Sequence, residues 1–498
     1  MARVKVTSQD GVRLEFDDAS PAGTGAMKDV FFSPDKSYVI GFLRQKPDAN
    51  SLERLQNLVT AYRTGILDGP GGDYWAKLFC WPTHIVEYNG TVGIVLPTYE
   101  KHFFFQHGSK NDDFLGIKGK EKEGKWFASA NHQQRSLDVR ERGTWINYLQ
   151  VLIKIARATR RMHAAGLAHS DLSYKNVLID PAGGNACIID VDSLVVPRKF
   201  PPDVVGTPDF IAPEVMATLS LAACDPKRKL PCRETDQHAL AVLMYMYLLY
   251  RHPLRGGKIH DQDPQKDEEL AMGVRALFIE HPTDWSNRPN LGDIRPSYFP
   301  FADPAKVPYT VCGPYLKELF DQAFITGLHC PELRPTADDW ERALIKTVDL
   351  VQPCSNPGCD QKWYVYDNSN RPKCPFCNTS FNGTLPVLNL YSSRSVGRFL
   401  PENHRIMVYS NQYLYPWHVN RSILPNEHMK EEDKRPVGYF KFHQNAWWFC
   451  NQKIPEIKTI KEGKIYRLGE MVPIVDDEQI LLDPSQGGRL IHVQMANK

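Results

Sequence analysis

No apolar run in this 498-residue chain is long enough to cross a membrane. The longest, ALAVLMYMYLLY at 239–250, would reach about 18 Å as a helix against a hydrocarbon core of about 30 Å, so a buried core helix is expected there. The first ten residues, MARVKVTSQD, hold no apolar leader segment, which argues against export and for a cytoplasmic protein. An excess of one charge is missing too: 60 Lys and Arg stand against 58 Asp and Glu, a net charge of +2. Runs such as KGKEKEGK (118–125) and KEEDKRP (430–436) mix signs. They are expected to be solvated faces, and neither nucleic acid nor membrane is expected as a partner. There is no internal repeat and no low-complexity tract. Of the 11 cysteines only four fall into a spacing pattern, so a disulfide framework is not expected.

What is present is an ordinary globular composition, 42% hydrophobic and 24% charged, on a chain long enough for two to four domains. Residues 1–100 read as rich in strands, with one amphipathic helix over about 50–66. Helical periodicity predicts further helices over 144–164, 235–250 and 336–350. VQP at 351–353 marks a linker, a cysteine-bearing knot occupies 354–380, and the last hundred residues alternate in the strand manner, as in GYFKFHQNAWWFC.

Cys354-x4-Cys359 and Cys374-x2-Cys377 suit two tight knuckles joined by a hairpin around a tetrahedral zinc ion. Four thiolates would close the coordination shell, so the expected role is structural, with disulfides as the alternative. HSDLSYKN (169–176) and IIDVD (188–192) supply different chemistry. Phosphoryl transfer needs one carboxylate to orient or deprotonate a hydroxyl nucleophile. It also needs a carboxylate and an amide oxygen to hold Mg²⁺, a hard ion that prefers oxygen. Asp171, Asn176 and Asp190 offer these groups at suitable spacing.

On these motifs the chain from about 20 to 350 resembles the eukaryotic-like protein kinases: a glycine turn, HxDLxxxN, a DFG-like triplet and GTPDFIAPE (206–214) follow in the family's order. The resemblance implies an α+β fold: two kinase-like lobes, then a small zinc ribbon and an all-β C-terminal domain. The expected divisions are an N-lobe (1–97), a C-lobe (98–350) with inserts at about 101–143 and 256–313, the ribbon (354–380) and a β-sandwich-like domain (384–498). It implies Asp171 as catalytic base, Asn176 and Asp190 as magnesium ligands, and ATP as phosphoryl donor to Ser/Thr of a protein. Glu214 would pair with Arg334, and Asp236 would brace the catalytic loop. The sequence departs from the pattern at Ser170, where the family has arginine, and at Val191 and Asp192, where it has phenylalanine and glycine. Ser173 replaces a lysine, and Lys175 is expected to reach the same phosphate. Thr207 matches the serine/threonine class.

The third strand, YVIGFLR (38–44), has no lysine in the slot at about Gly41 or Phe42. Phosphates in a partly dry cleft still need a cation. GTGAMKDVFF (23–32) offers Lys28 just past Gly23 and Gly25, an arrangement similar to the with-no-lysine kinases, so Lys28 is expected to anchor the α- and β-phosphates. Glu53 is either its ion-pair partner or the third residue of a capping box with Asn50. Pro97, Thr98, Tyr99 and Glu100, after the strand GIVLP, are expected to meet the adenine edge. The aromatic-rich insert at 101–143 is expected to be a packing cluster, with partner docking as the alternative.

The closing segment loosely resembles the end of a forkhead-associated β-sandwich. Only Gly397-Arg398 suggests that family's phosphothreonine site, so a protein-docking β-domain is expected. The order of kinase, cysteine ribbon and β tail resembles the bacterial kinase of tellurite-resistance-associated triads, carried by RMHAAGLAHSDLSYKNVLID and VVPRKFPPDVVGTPDFIAPEV. That resemblance implies a von Willebrand A-domain protein as partner and substrate, alongside a PP2C-like phosphatase. A nucleotide-binding pseudokinase scaffold and a small-molecule phosphotransferase are the competing readings.

Overall fold

The computed structural model describes the chain apart from residues 1–2, 19–20, 22, 25–26, 69–70, 197–198, 201–205, 223, 396 and 497–498. The chain divides into two compact units: residues 1–143, 147–309 and 318–341 in one, and 144–146, 310–317 and 342–498 in the other.

The first unit opens on a hairpin, Arg3–Thr7 against Arg13–Asp17. Its alternation buries Val6, Leu14 and Phe16 against Ile40, Phe42, Val86 and Val95 of a five-stranded antiparallel sheet. The sheet order is 23–24, 28–32, 38–43, 91–97, 84–88. The helix Ala49–Asn57 continues through a wider turn into Arg63–Leu67, as the periodicity over 50–66 predicts. A second helix, Gly72–Leu78, was not anticipated; Gly71, at φ +86°, starts it, and Trp75 and Leu78 are its buried anchors. The helix Trp145–Ala164 leads to the hairpin Val177–Asp180/Asn185–Ile188. The apolar run becomes the helix Arg233–Leu249, buried at every position from Thr235 onward. Burial on all sides explains its lack of polar periodicity. Arg334 is likewise buried and meets Glu214 through two parallel hydrogen bonds of 2.8 and 2.7 Å.

The insert at 101–143 is part of this unit's core. Phe103, Phe105 and Phe127 are buried, and Ile179 donates its N–H to Lys122 O at 3.0 Å. The expected solvated face over 118–125 is corrected at one position. Lys122 is buried and holds Glu141 at 2.9 Å and Asp180 at 3.0 Å. Charge pattern alone hides this, because both partners are distant in sequence.

In the second unit, Val351–Pro353 pairs with Trp363–Val365 and carries the first cysteine knuckle between them. Lys373 bridges to Ser380 around the second. Beyond lie a six-stranded sheet (398–407, 386–395, 489–495, 479–481, 456–459, 465–467) and a four-stranded one (413–414, 438–443, 446–451, 471–474). Leu388, Leu390, Ile457 and Ile491 of the first share a core with Phe440, Phe449 and Val472 of the second: a β-sandwich. Gly397, at φ +79°, and Arg398 sit at the turn joining two neighbouring strands, so hairpin geometry accounts for the pair.

Candidate functional site

The loop 169–176 is held from below. Asp236, buried near the start of the core helix, accepts the backbone N–H of His169 at 2.6 Å and of Ser170 at 3.2 Å, and bonds His163 Nε2 at 3.1 Å. This brace fixes Ser170 at φ +67°, a conformation that costs free energy for any residue with a side chain. His169 Nε2 meets Ile189 O at 3.0 Å, and Ile189 donates its N–H to Asn176 O at 3.0 Å. The loop is thereby tied to the strand end that presents Asp190.

Asp171 and Asn176 are brought together. Asn176 Nδ2 donates to Asp171 Oδ2 and to Asp171 O, both at 2.8 Å, and Thr207 N donates to Asp171 Oδ1 at 2.6 Å. With its amide nitrogen so engaged, Asn176 keeps its carbonyl oxygen as an acceptor. Lys175 lies in the same loop, exposed, with its N–H on Ser173 Oγ at 3.3 Å.

Lys28 lies on the strand Lys28–Phe32. Across the ladder Lys28 faces Leu43 and Val30 faces Gly41, so Lys28 and Gly41 are diagonal neighbours on one face. A Cβ at Gly41 would lie 3.1 Å from Lys28 Cδ. The lysine stem thus lies across the vacant position on the third strand. Its Nζ reaches Asp190 Oδ1 at 3.2 Å and Asp192 Oδ1 and Oδ2 at 3.0 and 2.9 Å. Burial opposes the ammonium charge, but the two carboxylates outweigh it and hold the group above its ordinary value. Burial and the neighbouring Asp192 raise Asp190's carboxyl; burial would raise Asp192's as well, but Lys28 outweighs it and holds that carboxyl low.

Other expected residues lie elsewhere. Glu53 does not meet Lys28; it pairs with Lys199 at 3.0 Å, both half-exposed. Nor does it close a box with Asn50, because Asp48 caps the helix by accepting Ser51 N at 2.7 Å. Arg44 pairs with Asp29 at 2.7 Å, away from the acids. Gly23 is in the edge strand beside Lys28's strand, and Gly25 lies outside the described residues. Pro97 ends its strand opposite Tyr38, and Thr98 donates its N–H to Ser37 O at 3.3 Å. Pro97, Thr98, Tyr99 and Glu100 line a cleft of about 510 Å³ with Cys80, Phe103 and Cys187. Asp192 is the residue the sequence reading did not count as functional. Its signal was there: an acid two positions after a magnesium-binding candidate.

The four Sγ atoms of Cys354, Cys359, Cys374 and Cys377 all lie within 4.8 Å of one another, with Cys354–Cys377 at 3.5 Å and Cys359–Cys374 at 3.8 Å. A tetrahedron with Zn–S near 2.3 Å has edges of about 3.8 Å, so the donor set fits that ion.

Residues 130–338 match the family model described as "Protein kinase domain". The match contains Asp171, Asn176, Asp190, Glu214 and Arg334 and begins after Lys28. The chain is 30% identical over 118 residues to the serine/threonine-protein kinase PkaB of Streptomyces coelicolor, covering 22% of this chain and 26% of that protein. It is 28% identical over 142 residues to the serine/threonine-protein kinase dkf-1 of Caenorhabditis elegans, covering 27% and 17%. The chain thus spans about a quarter or less of these curated relatives. Among solved structures, the Toxoplasma gondii specific rhoptry antigen kinase domain aligns with a TM-score of 0.39 and 13% identity, over 70% of this chain and 86% of that one. Over residues 130–338, then, the chain is similar to the protein kinase domain family.

Proposed function

We propose that the chain is a Mg²⁺- and ATP-dependent protein kinase that transfers the γ-phosphoryl group to Ser or Thr of a partner protein or of itself. One observation carries this reading: Asp171 is hydrogen-bonded to Asn176, the Asn176 carbonyl to the N–H of Ile189, and Asp190, the next residue in the chain, to Lys28. Asp171 orients the acceptor hydroxyl and takes its proton. The Asn176 amide oxygen and the Asp190 carboxylate would hold the magnesium that shields the phosphates. Lys28 supplies the fixed positive charge for the α- and β-phosphates, and Tyr99 and Glu100 the edge for the base. Lys175, exposed in the same loop, would meet the transferring phosphate.

The test is transfer of labelled γ-phosphate to the chain or to a candidate partner. Asp171→Asn should lower the rate by about 10³-fold; transfer unaffected by that change would remove Asp171 from its role. A nucleotide-binding pseudokinase is the second reading, favoured by Ser170 and by the engagement of Lys28 with Asp192. Nucleotide binding without transfer to any protein would select it.

The resemblance to the tellurite-resistance triads makes a von Willebrand A-domain protein the first substrate to try, with a PP2C-like phosphatase as the opposing activity. Cys354, Cys359, Cys374 and Cys377 would hold one structural zinc. Metal analysis should find about one zinc per chain, and chelation should unfold the cysteine hairpins. No helix among the described residues is long and apolar enough to cross a membrane, which is compatible with work in the cytoplasm.

A further inference from the structure

In the DFG-like triplet that resemblance assigns to Asp190, Val191 and Asp192, the third position is a glycine, which has no side chain to interact with anything. Here the position is Asp192, and both of its carboxylate oxygens go to Lys28, at 3.0 and 2.9 Å. A lysine ammonium carries three protons and no acceptor. Its contacts with both oxygens of Asp192 and with Asp190 at 3.2 Å commit most of the ammonium's charge and donors to the two acids. A phosphate oxygen therefore competes with Asp192 for Lys28.

The surroundings decide which contact gives way. Asp190, at φ +61°, lies two residues past the strand Asn185–Ile188, and its side chain is 49% exposed to solvent. Asp192 is 13% exposed and sits in the short turn Val191–Ser193. That turn is pinned on both sides. Val191 is buried, and Val195 exchanges both backbone hydrogen bonds with Ala168, at 2.8 and 3.0 Å. The backbone on either side of Asp192 is thus tied into the surrounding structure. Lys28 is paired across the ladder with Leu43, and its stem lies close to Gly41. Between them is an ion pair that a rotation of the Asp192 side chain would open.

We infer that Asp192 is an internal stand-in for phosphate: its carboxylate holds the Lys28 ammonium, so nucleotide phosphates compete with it for Lys28, and the affinity for nucleotide is set by that exchange. This rests on the kinase reading above. The cluster of one lysine and two carboxylates carries a net charge of −1, which repels a polyphosphate unless a divalent cation offsets it. Wild-type protein therefore binds nucleotide more weakly without the cation than with it, whereas removing the Asp192 charge frees Lys28 and relieves the repulsion together.

The experiment measures ADP binding to the full chain by calorimetry, in chelator and again with Mg²⁺, for wild type, Asp192→Asn and Asp192→Gly. Removing one charge about 5 Å from the phosphates, at an effective dielectric constant near 20, should tighten metal-free ADP binding at least about tenfold. Asp192→Gly restores the triplet glycine and should give the same gain should Asn fold poorly, with thermal unfolding reporting the folded state of each. Lys28→Met combined with Asp192→Asn should lose most of the gain, since no lysine is left to free. Metal-free affinity unchanged or weakened in both Asp192 variants overturns the inference, while Mg²⁺-dependent phosphate transfer by wild type would leave the kinase reading standing. Absence of ADP binding by every variant, with and without Mg²⁺, overturns both.

Discussion

Two clusters in the first unit share one composition, a lysine between two carboxylates, and differ in almost everything else. Around Lys122, the ammonium, Glu141 and Asp180 are 4%, 2% and 8% exposed. Glu141 also accepts the backbone N–H groups of Gln106, His107 and Gly108, and Asp180 accepts from Asn185. This triad closes the base of the insert onto the strand Val177–Asp180. Around Lys28, Asp190 is half-exposed and Asp192 sits in a short turn. What separates the two triads is not their charge or their residue types. It is solvent access: one is buried throughout, and the other has a carboxylate at the surface.

The sharpest way to break this comparison is to remove each lysine. Lys122→Met leaves two buried acids without their partner and should cost about 3–5 kcal/mol of stability, read by urea unfolding; a loss as small as that of a surface substitution would erase the distinction. Lys28→Met should leave the unit folded and cost about ten- to a hundredfold in Mg·ADP affinity. Arg44→Met, by contrast, should leave that affinity unchanged, and the reverse result would move the phosphate anchor to Arg44. Glu53→Ala removes a half-exposed pair with Lys199 and should change stability by no more than about 1 kcal/mol with no change in nucleotide affinity; a loss of affinity would mean that Glu53 turns to Lys28 when nucleotide binds.

The smallest effect is with pH. Burial and Asp192 hold the Asp190 carboxyl above 3.8, so the folded protein binds that proton more tightly than the unfolded chain. This group therefore costs stability above its folded value, and the cost is relieved as pH falls through it. Asp192, held below 3.8 mainly by Lys28 against the pull of burial, has the opposite sign: its contribution is present above 3.8 and is lost as pH falls. Asp190→Asn should be at least as stable as wild type near neutrality, with any advantage shrinking toward about pH 4; a clear loss near neutrality would reverse the two assignments.

The loop 169–176 was legible in sequence because its parts are local. Asp171 and Asn176 are five residues apart, and their hydrogen bond needs only the turn between them. The vacancy at Gly41 and the candidacy of Lys28 were legible from pattern, and the helices from periodicity, since burial on one face leaves a period of 3.6. What sequence could not show were pairings across long separations. Lys28 meets Asp192, Lys122 meets Glu141 and Asp180, and Glu53 meets Lys199, each chosen by where strands and helices come together. Asp48 was missed as a cap because Asn50, two residues on, is an equally good capping residue by type.

Gly41 carries a consequence for how this site could change. A Cβ at 41 would sit 3.1 Å from Lys28 Cδ, so a side chain there and the Lys28 stem share one space. Gly41→Lys would crowd two amines into it, and Lys28→Gly alone would leave it without charge. A lysine moved to the third strand therefore fits this space best when position 28 becomes small at the same time, which couples the two positions.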